Sequence, residues 1–310
     1  MKLLTTLSYF ISIAFAQTAV DPAGGRIYIS KDQGVNWERA DKGFPADAAV
    51  NAWVVQGEKV IAGTNAHGIF ISSDRLKSWY PSGKGLSKNT RIISLASHKN
   101  ILLAGTYTDG IFISDDGGES WHLSNTGLKN LTIRSFYSKG LLLLAGTNDG
   151  IYSSSDYGKS WILEKSGFQL NAFSFSNNQI FAATNQGVVV SKDYGKTWHW
   201  IYKDSAIYTL AANEKEIYIM DFFGNVYRSP GPNFIWLKSD VYLPLHDTFQ
   251  LTPASPKFLT AAWKRAFKNM TGVNQYLRNN GLPVDSAFAE LLDTPFGLLA
   301  CAVSPKKIGC

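Results

Sequence analysis

Ser114-Asp115-Asp116-Gly117-Gly118-Glu119-Ser120-Trp121 is the clearest copy of the pattern that decides the fold of this chain. The pattern, S-x-D-x-G-x-x-W, recurs in full from Ser30, Ser154 and Ser191. Two weaker copies keep the frame around Trp79 and Trp236. The tryptophans at 37, 79, 121, 161, 198 and 236 are 42, 42, 40, 37 and 38 residues apart. A period of about 40 residues predicts a fold built from repeated units.

Each copy has the composition of a tight turn between two strands. Serine and aspartate side chains accept hydrogen bonds from turn amides, and glycine adopts a positive φ without steric cost. The tryptophan then packs under the loop at the start of the next strand. We therefore expect structural roles for Ser30, Asp32, Gly34, Trp37, Asp74, Trp79, Asp116, Gly118, Trp121, Asp156, Gly158, Trp161, Asp193, Gly195, Trp198 and Trp236.

Apolar runs surround each copy and supply the remaining strands. A full unit reads strand a, strand b ending in Ala-Gly-Thr, a short loop, strand c, the turn, and strand d. Four strands in about 40 residues are typical of a β-propeller blade. The sequence thus predicts an all-β chain with a single propeller domain over residues 17–310.

The blade count predicted from the repeats is seven. Five recognisable units run from about Asp47 to Asp240, and a degenerate unit follows at about 241–283. Residues 24–42 contain strands c and d without a and b, whereas residues 284–303 contain a and b alone. We expect these two segments to form one composite blade that closes the ring and removes the open sheet edges. A six-bladed ring with a C-terminal tail is the alternative.

The chain begins with a pattern typical of a secretory signal peptide. Lys2 precedes the apolar run Leu3–Phe15, and Ala14-Phe15-Ala16 offers a small-residue cleavage site. Cleavage after Ala16 would produce a secreted or periplasmic protein. No later stretch approaches the ~20 apolar residues of a membrane span. We therefore expect no membrane span in the mature protein.

Composition narrows the classes of partner. The formal net charge is +6, but the basic residues form no cluster, so we expect no nucleic acid partner. With Cys301 and Cys310 as the only cysteines, a single disulfide and two free thiols both remain open. The histidines lack metal-ligand spacing, and we predict no metal, no cofactor and a monomer.

Ligands of propellers usually meet the face formed by the loops between strands b and c. These loops carry amides, carboxylates and aromatic rings that suit contact with a protein or a sugar. One further candidate, on strand a, faces the central channel. The predicted binding residues are Tyr107, Asp109, Arg134, Asn148, Asp149, Asn185, Asp221, Phe222, Trp263 and Arg265. We predict no catalytic residue.

The repeated turn resembles the Asp-box, or bacterial neuraminidase repeat, and this resemblance covers nearly the whole mature chain. Sialidases of this kind hold the substrate carboxylate with three arginines near an Arg-Ile-Pro signature. This sequence lacks Arg-Ile-Pro, and only Arg91 and Arg134 are placed to face the channel. Alignment of the a strands puts Asn51, Ile93, Arg134, Asn171 and Tyr208 at one equivalent position.

Among propellers of this size, the chain is similar to the photosystem II assembly and stability factors, and more distantly to sortilin propellers. The former resemblance implies an exported, non-catalytic propeller that binds or scaffolds an unknown protein or glycan partner. The alternative is a glycoside hydrolase, which needs two suitably spaced carboxylates.

Overall fold

The computed structural model describes residues 26–32, 36–212, 214–223, 225–230, 233–242 and 287–303. All the regular elements in these ranges are β-strands. The strands form six four-stranded antiparallel sheets, each of which is one blade of a propeller.

The strands follow the predicted repeat from end to end. The opening pair is β1 (Arg26–Ser30) and β2 (Glu38–Arg39). Five consecutive blades then run a to d. The bounds of their strands are β3 (Val50–Gln56), β4 (Lys59–Thr64), β5 (Ile69–Ser72), β6 (Tyr80–Ser82); β7 (Ile92–His98), β8 (Ile101–Thr106), β9 (Ile111–Ser114), β10 (His122–Leu123); β11 (Ile133–Lys139), β12 (Leu142–Thr147), β13 (Gly150–Ser154), β14 (Ile162–Ser166); β15 (Leu170–Ser176), β16 (Gln179–Thr184), β17 (Gly187–Ser191), β18 (His199–Tyr202); β19 (Ile207–Ala212), β20 (Glu216–Asp221), β21 (Asn225–Pro230), β22 (Leu237–Tyr242). The closing pair is β23 (Ala287–Thr294) and β24 (Gly297–Val303).

The two ends of the chain complete one blade, as the sequence predicts. This composite blade has the order β2-β1-β24-β23, with β1 antiparallel to β24. Ser30 pairs with Leu298 in this blade, just as Ser114 pairs with Leu102 in an ordinary blade. The segment 298–302 therefore occupies the place of a strand b, which ends in Ala-Gly-Thr in the next three blades.

The innermost strands lie side by side around the channel. β23 packs against β3, and the series continues through β7, β11, β15 and β19. Among the described strands no comparable contact joins β19 to β23. Such a gap is what one more blade between them would produce, but most of the predicted degenerate blade lies outside the described residues. Seven blades therefore remain a prediction, as does the signal peptide over residues 1–16, and Cys310 lies outside the described residues.

The core consists of apolar layers between neighbouring blades. One layer joins Val54 and Ile61 of the second blade to Leu95 and Leu102 of the third, all of them buried. Because blades cover both faces of most sheets, strand b is apolar on both faces rather than alternating. This explains runs such as Leu142–Ala145 in the sequence.

The repeated turns have the predicted hydrogen bonds. In the clearest copy, Ser114 Oγ donates to Asp116 Oδ1 at 2.7 Å and accepts from the amide of Gly118 at 2.8 Å. The same aspartate accepts the amide of Ser120 at 2.9 Å. Gly118 has a φ of 93°, where L side chains are strained. In the weaker second copy Leu76 takes the same place with a φ of 67°.

The turn tryptophans also join one blade to the next. Trp79, Trp161 and Trp236 each donate an indole N–H to a carbonyl of the preceding blade, at 2.7, 3.1 and 2.9 Å. The backbone amide of Trp161 adds a bond to the carbonyl of Thr126 at 2.9 Å. In these three copies the repeated turn thus stabilises both a hairpin and an interface between blades, whereas Trp121 and Trp198 donate their indole N–H to Gly118 and Gly195 of their own turns.

We expect the turn aspartates to make the fold sensitive to acid. Partial burial opposes ionisation of Asp156, but hydrogen bonds from Ser160 and Ser154 outweigh it and lower the pKa to about 2. Because an unfolded aspartate has a pKa of ~3.9, the stabilisation is complete above that pH and is lost as pH falls towards 2.

The measurement is the free energy of unfolding of the wild type and Asp156→Asn, from pH 5 down to pH 2. We expect the variant to be less stable at pH 5, with the difference shrinking as the pH approaches 2. A constant difference across this range would contradict the assignment.

Candidate binding site at the channel mouth

A recurring irregularity of the fold interrupts the innermost strand of each described blade at one position. Near its start, every strand a has a β-bulge, where an extra residue interrupts the pairing with strand b. The bulge residues are Asn51, Ile93, Arg134, Asn171, Tyr208 and Ala289. The equivalence predicted for the first five is confirmed.

Two of these bulge residues have structural roles. Asn51 donates its side-chain amide to the carbonyl of Ile92 at 2.9 Å, and Asn171 donates to that of Ile207 at 2.7 Å. Both acceptors lie at the start of strand a in the next blade. These asparagines therefore fasten neighbouring blades together.

Arg134 is the charged member of the set and is only 6% exposed. Its Nη1 donates to Asn148 Oδ1, in the b–c loop of the same blade, at 3.2 Å. Burial lowers the pKa of Arg134, while the hydroxyls of Tyr208 and Tyr107 act in the opposite direction. Arginine remains protonated despite such shifts, so the channel mouth contains a fixed positive charge.

Arg91 supplies a second guanidinium group beside Tyr107. Its Cζ lies 4.9 Å from the centre of the Tyr107 ring, within the range of a cation–π contact. Two bonds hold the backbone of Tyr107. Its amide donates to the carbonyl of Arg91 at 3.1 Å, and its carbonyl accepts from Thr132 Oγ1 at 2.9 Å.

Tyr208 and Phe222 form the aromatic side of the same region. Their rings meet edge to face, with centres 5.3 Å apart. Tyr208 takes the same bulge position in its strand a as Arg134 takes in its own. We call Arg91, Tyr107, Arg134, Asn148, Tyr208 and Phe222 the channel-mouth cluster.

Several other predicted binding residues form hydrogen bonds within their own loops. Asp149 accepts hydrogen bonds from Thr147 Oγ1 at 2.5 Å and from the Tyr152 hydroxyl at 3.0 Å. Asp221 is 2% exposed and accepts the amides of Phe223 and Asn225 at 2.8 and 2.9 Å.

The remaining b–c loop candidates behave in a similar way. Asn185 accepts the amide of Gln169 through Oδ1 at 2.9 Å. Asp109 is exposed and accepts Thr108 Oγ1 at 3.0 Å. These bonds explain the polar residue types of the loops without a ligand.

Four predicted residues make contacts in this region: Arg134 with Asn148, Tyr107 with Arg91, and Phe222 with Tyr208. Arg91 and Tyr208 complete these contacts and are not among the binding residues predicted from the sequence. Their signal was position: Tyr208 is a bulge residue, and Arg91 lies two residues before one. Trp263 and Arg265 lie outside the described residues and stay predictions.

Within the described ranges, no group of three or more His, Cys, Asp or Glu side chains is placed to hold a metal ion. No described helix is long and apolar enough to cross a membrane.

Comparison with known proteins supports the repeat and the fold. The BNR/Asp-box repeat family model matches residues 112–123, which include the turn at Asp116. No curated protein sequence matches the chain.

Solved propellers match over most of the chain at low identity. YCF48 bound to D1 peptide is 14% identical, with a TM-score of 0.55 and 97% of this chain and 93% of that one covered. YCF48 from Cyanidioschyzon merolae is 13% identical, with a TM-score of 0.54 and 99% and 98% covered. An ancestral GH74 enzyme is 17% identical, with a TM-score of 0.53 and 69% of this chain covered.

These likenesses concern the fold, because identities this low do not carry function. The match spans 32% of the GH74 enzyme, and 38% of the extracellular domain of BT4673 from B. thetaiotaomicron. The chain is thus an all-β propeller that carries the BNR/Asp-box repeat.

Proposed function

We propose that this chain is an exported, non-catalytic binding propeller, and that the channel-mouth cluster contacts a segment of a protein partner. The observations that carry this proposal are the Arg91 guanidinium over the Tyr107 ring and, in the following blade, the buried guanidinium of Arg134 held by Asn148. Arginine and aromatic residues dominate the binding energy of protein interfaces. The cluster also provides donors suited to carboxylate or carbonyl oxygens.

The side chains of the cluster are already ordered before a partner binds. Tyr107 is held through its backbone on both sides, and Arg134 is buried against Asn148. A side chain that is already ordered loses little conformational entropy on association. Phe223 adds a ring that is 73% exposed beside the cluster.

The neighbouring carboxylates favour binding over hydrolysis. A glycoside hydrolase needs one carboxyl group as acid and a second as base or nucleophile. Asp149 and Asp221 accept hydrogen bonds from their own loops. The YCF48 structure with a D1 peptide is consistent with a peptide ligand, whereas the GH74 match covers a part of that enzyme.

Site-specific photo-crosslinking tests which face the partner contacts. We expect benzoylphenylalanine at position 223 to capture a partner from the native extracellular or periplasmic fraction. The matched control is the same probe at Tyr194, which is 57% exposed in a repeated turn at the opposite end of the strands. Equal capture at both positions, or capture at 194 alone, would contradict the proposal.

We further expect Arg91→Ala to weaken binding of the captured partner about tenfold, since an arginine at the centre of an interface contributes more than ~1 kcal/mol. Arg91→Lys, which lacks the planar group, should restore only part of this affinity. Isothermal titration calorimetry measures the affinity of both variants for the partner. Hydrolysis of an aryl glycoside by the wild type, abolished by Asp149→Asn, would instead establish the hydrolase.

A further inference from the structure

A second candidate site lies between the composite blade and the blade that follows it. A groove of about 550 Å³ opens there, far in the fold from the b–c loops. Its floor is apolar, with Ile29, Ala40, Leu76 and Phe296. Its rim bears the cations Lys31, Arg39, Arg75 and Lys77, and Glu38 is the one acidic residue among the described residues that line it.

The next two interfaces have a hydrogen bond that is absent at this groove. In each of them a serine of strand d donates to the carbonyl of the next turn glycine, Ser82 to Gly118 and Ser124 to Gly158. At the groove the equivalent residues are Ala40 and Leu76. Because alanine has no hydroxyl, this bond between the blades is missing.

A second link between blades also differs at the groove. Lys59 reaches the carbonyl of Gly117 at 3.1 Å, and Lys99 reaches the hydroxyl of Tyr157 at 2.9 Å. Both lysines come from the region of an a–b turn and cross to the following turn. The composite blade presents the half-buried ring of Phe296 in its a–b turn instead.

Three of the rim cations form ion pairs with carboxylates of the chain, but these pairs are largely exposed to solvent. Lys31 pairs with Glu38, Arg39 with Asp41 at 2.6 Å, and Arg75 with Glu58 at 3.9 Å. The side chains of Lys31 and Arg75 are 69% and 68% exposed. Exposed ion pairs contribute ~0–1 kcal/mol, so carboxylates of a partner can replace these intramolecular ones at low cost.

We propose that this groove binds an acidic peptide segment, with one apolar side chain on the Phe296–Leu76 floor and flanking carboxylates on the rim. The charge of the rim selects an acidic occupant, and the apolar floor favours a peptide over a wholly polar polyanion. The volume falls within the ~300–1,000 Å³ of ordinary ligand pockets. The site goes beyond the proposed function, because none of its residues belongs to the channel-mouth cluster.

Fluorescence anisotropy of the full chain with a labelled peptide tests this proposal. The probe is a peptide of glutamates with one central leucine, and its partner probe has serine in place of leucine. We expect Lys77→Glu to weaken binding of the leucine peptide at least tenfold, which corresponds to ~1.4 kcal/mol. The serine peptide should bind the wild type about fivefold more weakly, because it leaves the apolar floor uncovered.

Lys196→Glu is the matched control, since Lys196 occupies the same place in the fifth copy of the turn as Lys77 does in the second. It should change the affinity less than twofold, and both variants should keep the thermal midpoint of the wild type. Equal losses from the two variants would overturn the proposal, as would an absence of binding at millimolar peptide. Binding of a sulfated oligosaccharide, but not the peptide, in a manner dependent on Lys77 would assign the groove to a glycan instead.

Discussion

Trp161→Ala is expected to lower the free energy of unfolding by about 3–5 kcal/mol, the usual cost of removing a large buried aromatic side chain. Trp161 is 2% exposed and packs near Phe136, with ring centres 6.4 Å apart. Its indole N–H also reaches the carbonyl of Ser124 in the preceding blade. The substitution therefore removes core packing and a link between blades together.

Denaturant unfolding followed by circular dichroism measures this loss. Trp161→Phe is the control, because it keeps an aromatic ring in the layer but lacks the indole donor. We expect it to cost about 1–2 kcal/mol, part of it for the unpaired carbonyl of Ser124. A loss below 1 kcal/mol for Trp161→Ala would show that the turn tryptophans are not important to the stability of the ring.

Gly105→Ala is expected to lower the stability by about 2–3 kcal/mol, although it adds a single methyl group. A Cβ atom at Gly105 would lie 2.1 Å from Ser94 Oγ and 2.7 Å from Ile133 Cγ2 of the next blade. Ser94 Oγ donates to the carbonyl of Ile133 at 2.8 Å. The added methyl group must therefore displace a bond between blades as well as a packed side chain.

The natural control is Ala183, which occupies the same position in a blade where Ala172 replaces the paired serine. Ala183→Gly should cost only about 1 kcal/mol, mainly through backbone entropy. Thermal unfolding of both variants distinguishes the two positions. Comparable losses would mean that the contact at Gly105 relaxes without consequence.

Local chemistry made the blades predictable from the sequence. The turn needs Ser114, Asp116 and Gly118 at fixed spacing. The serine and aspartate side chains form hydrogen bonds within the same eight residues, and the glycine adopts the positive φ that the turn requires. The strands alternate with these turns, so their order follows directly. The composite blade was predictable as well, since residues 297–300 resemble an ordinary strand b and the first strand of the chain lacked such a partner.

The channel-mouth cluster was only partly predictable. Alignment of the a strands put Arg134 and Tyr208 at equivalent positions. In the structure both residues lie at the bulge near the start of strand a. The contact of Arg91 with Tyr107 depends on side-chain directions, which the repeat does not specify. Similarly, the sequence could not show that the carboxylates of Asp149 and Asp221 accept hydrogen bonds from groups of their own loops.

The sequence by itself determined the blade, its turn and the way in which the chain ends meet, because each of these depends on neighbours within one repeat or on matching strands. Only the tertiary structure decided what lies between blades. The groove joins Lys31, Arg75 and Phe296, which are far apart in the chain and meet only after ring closure. At this interface Ala40 stands where a serine of the next two interfaces donates to a carbonyl of the following blade.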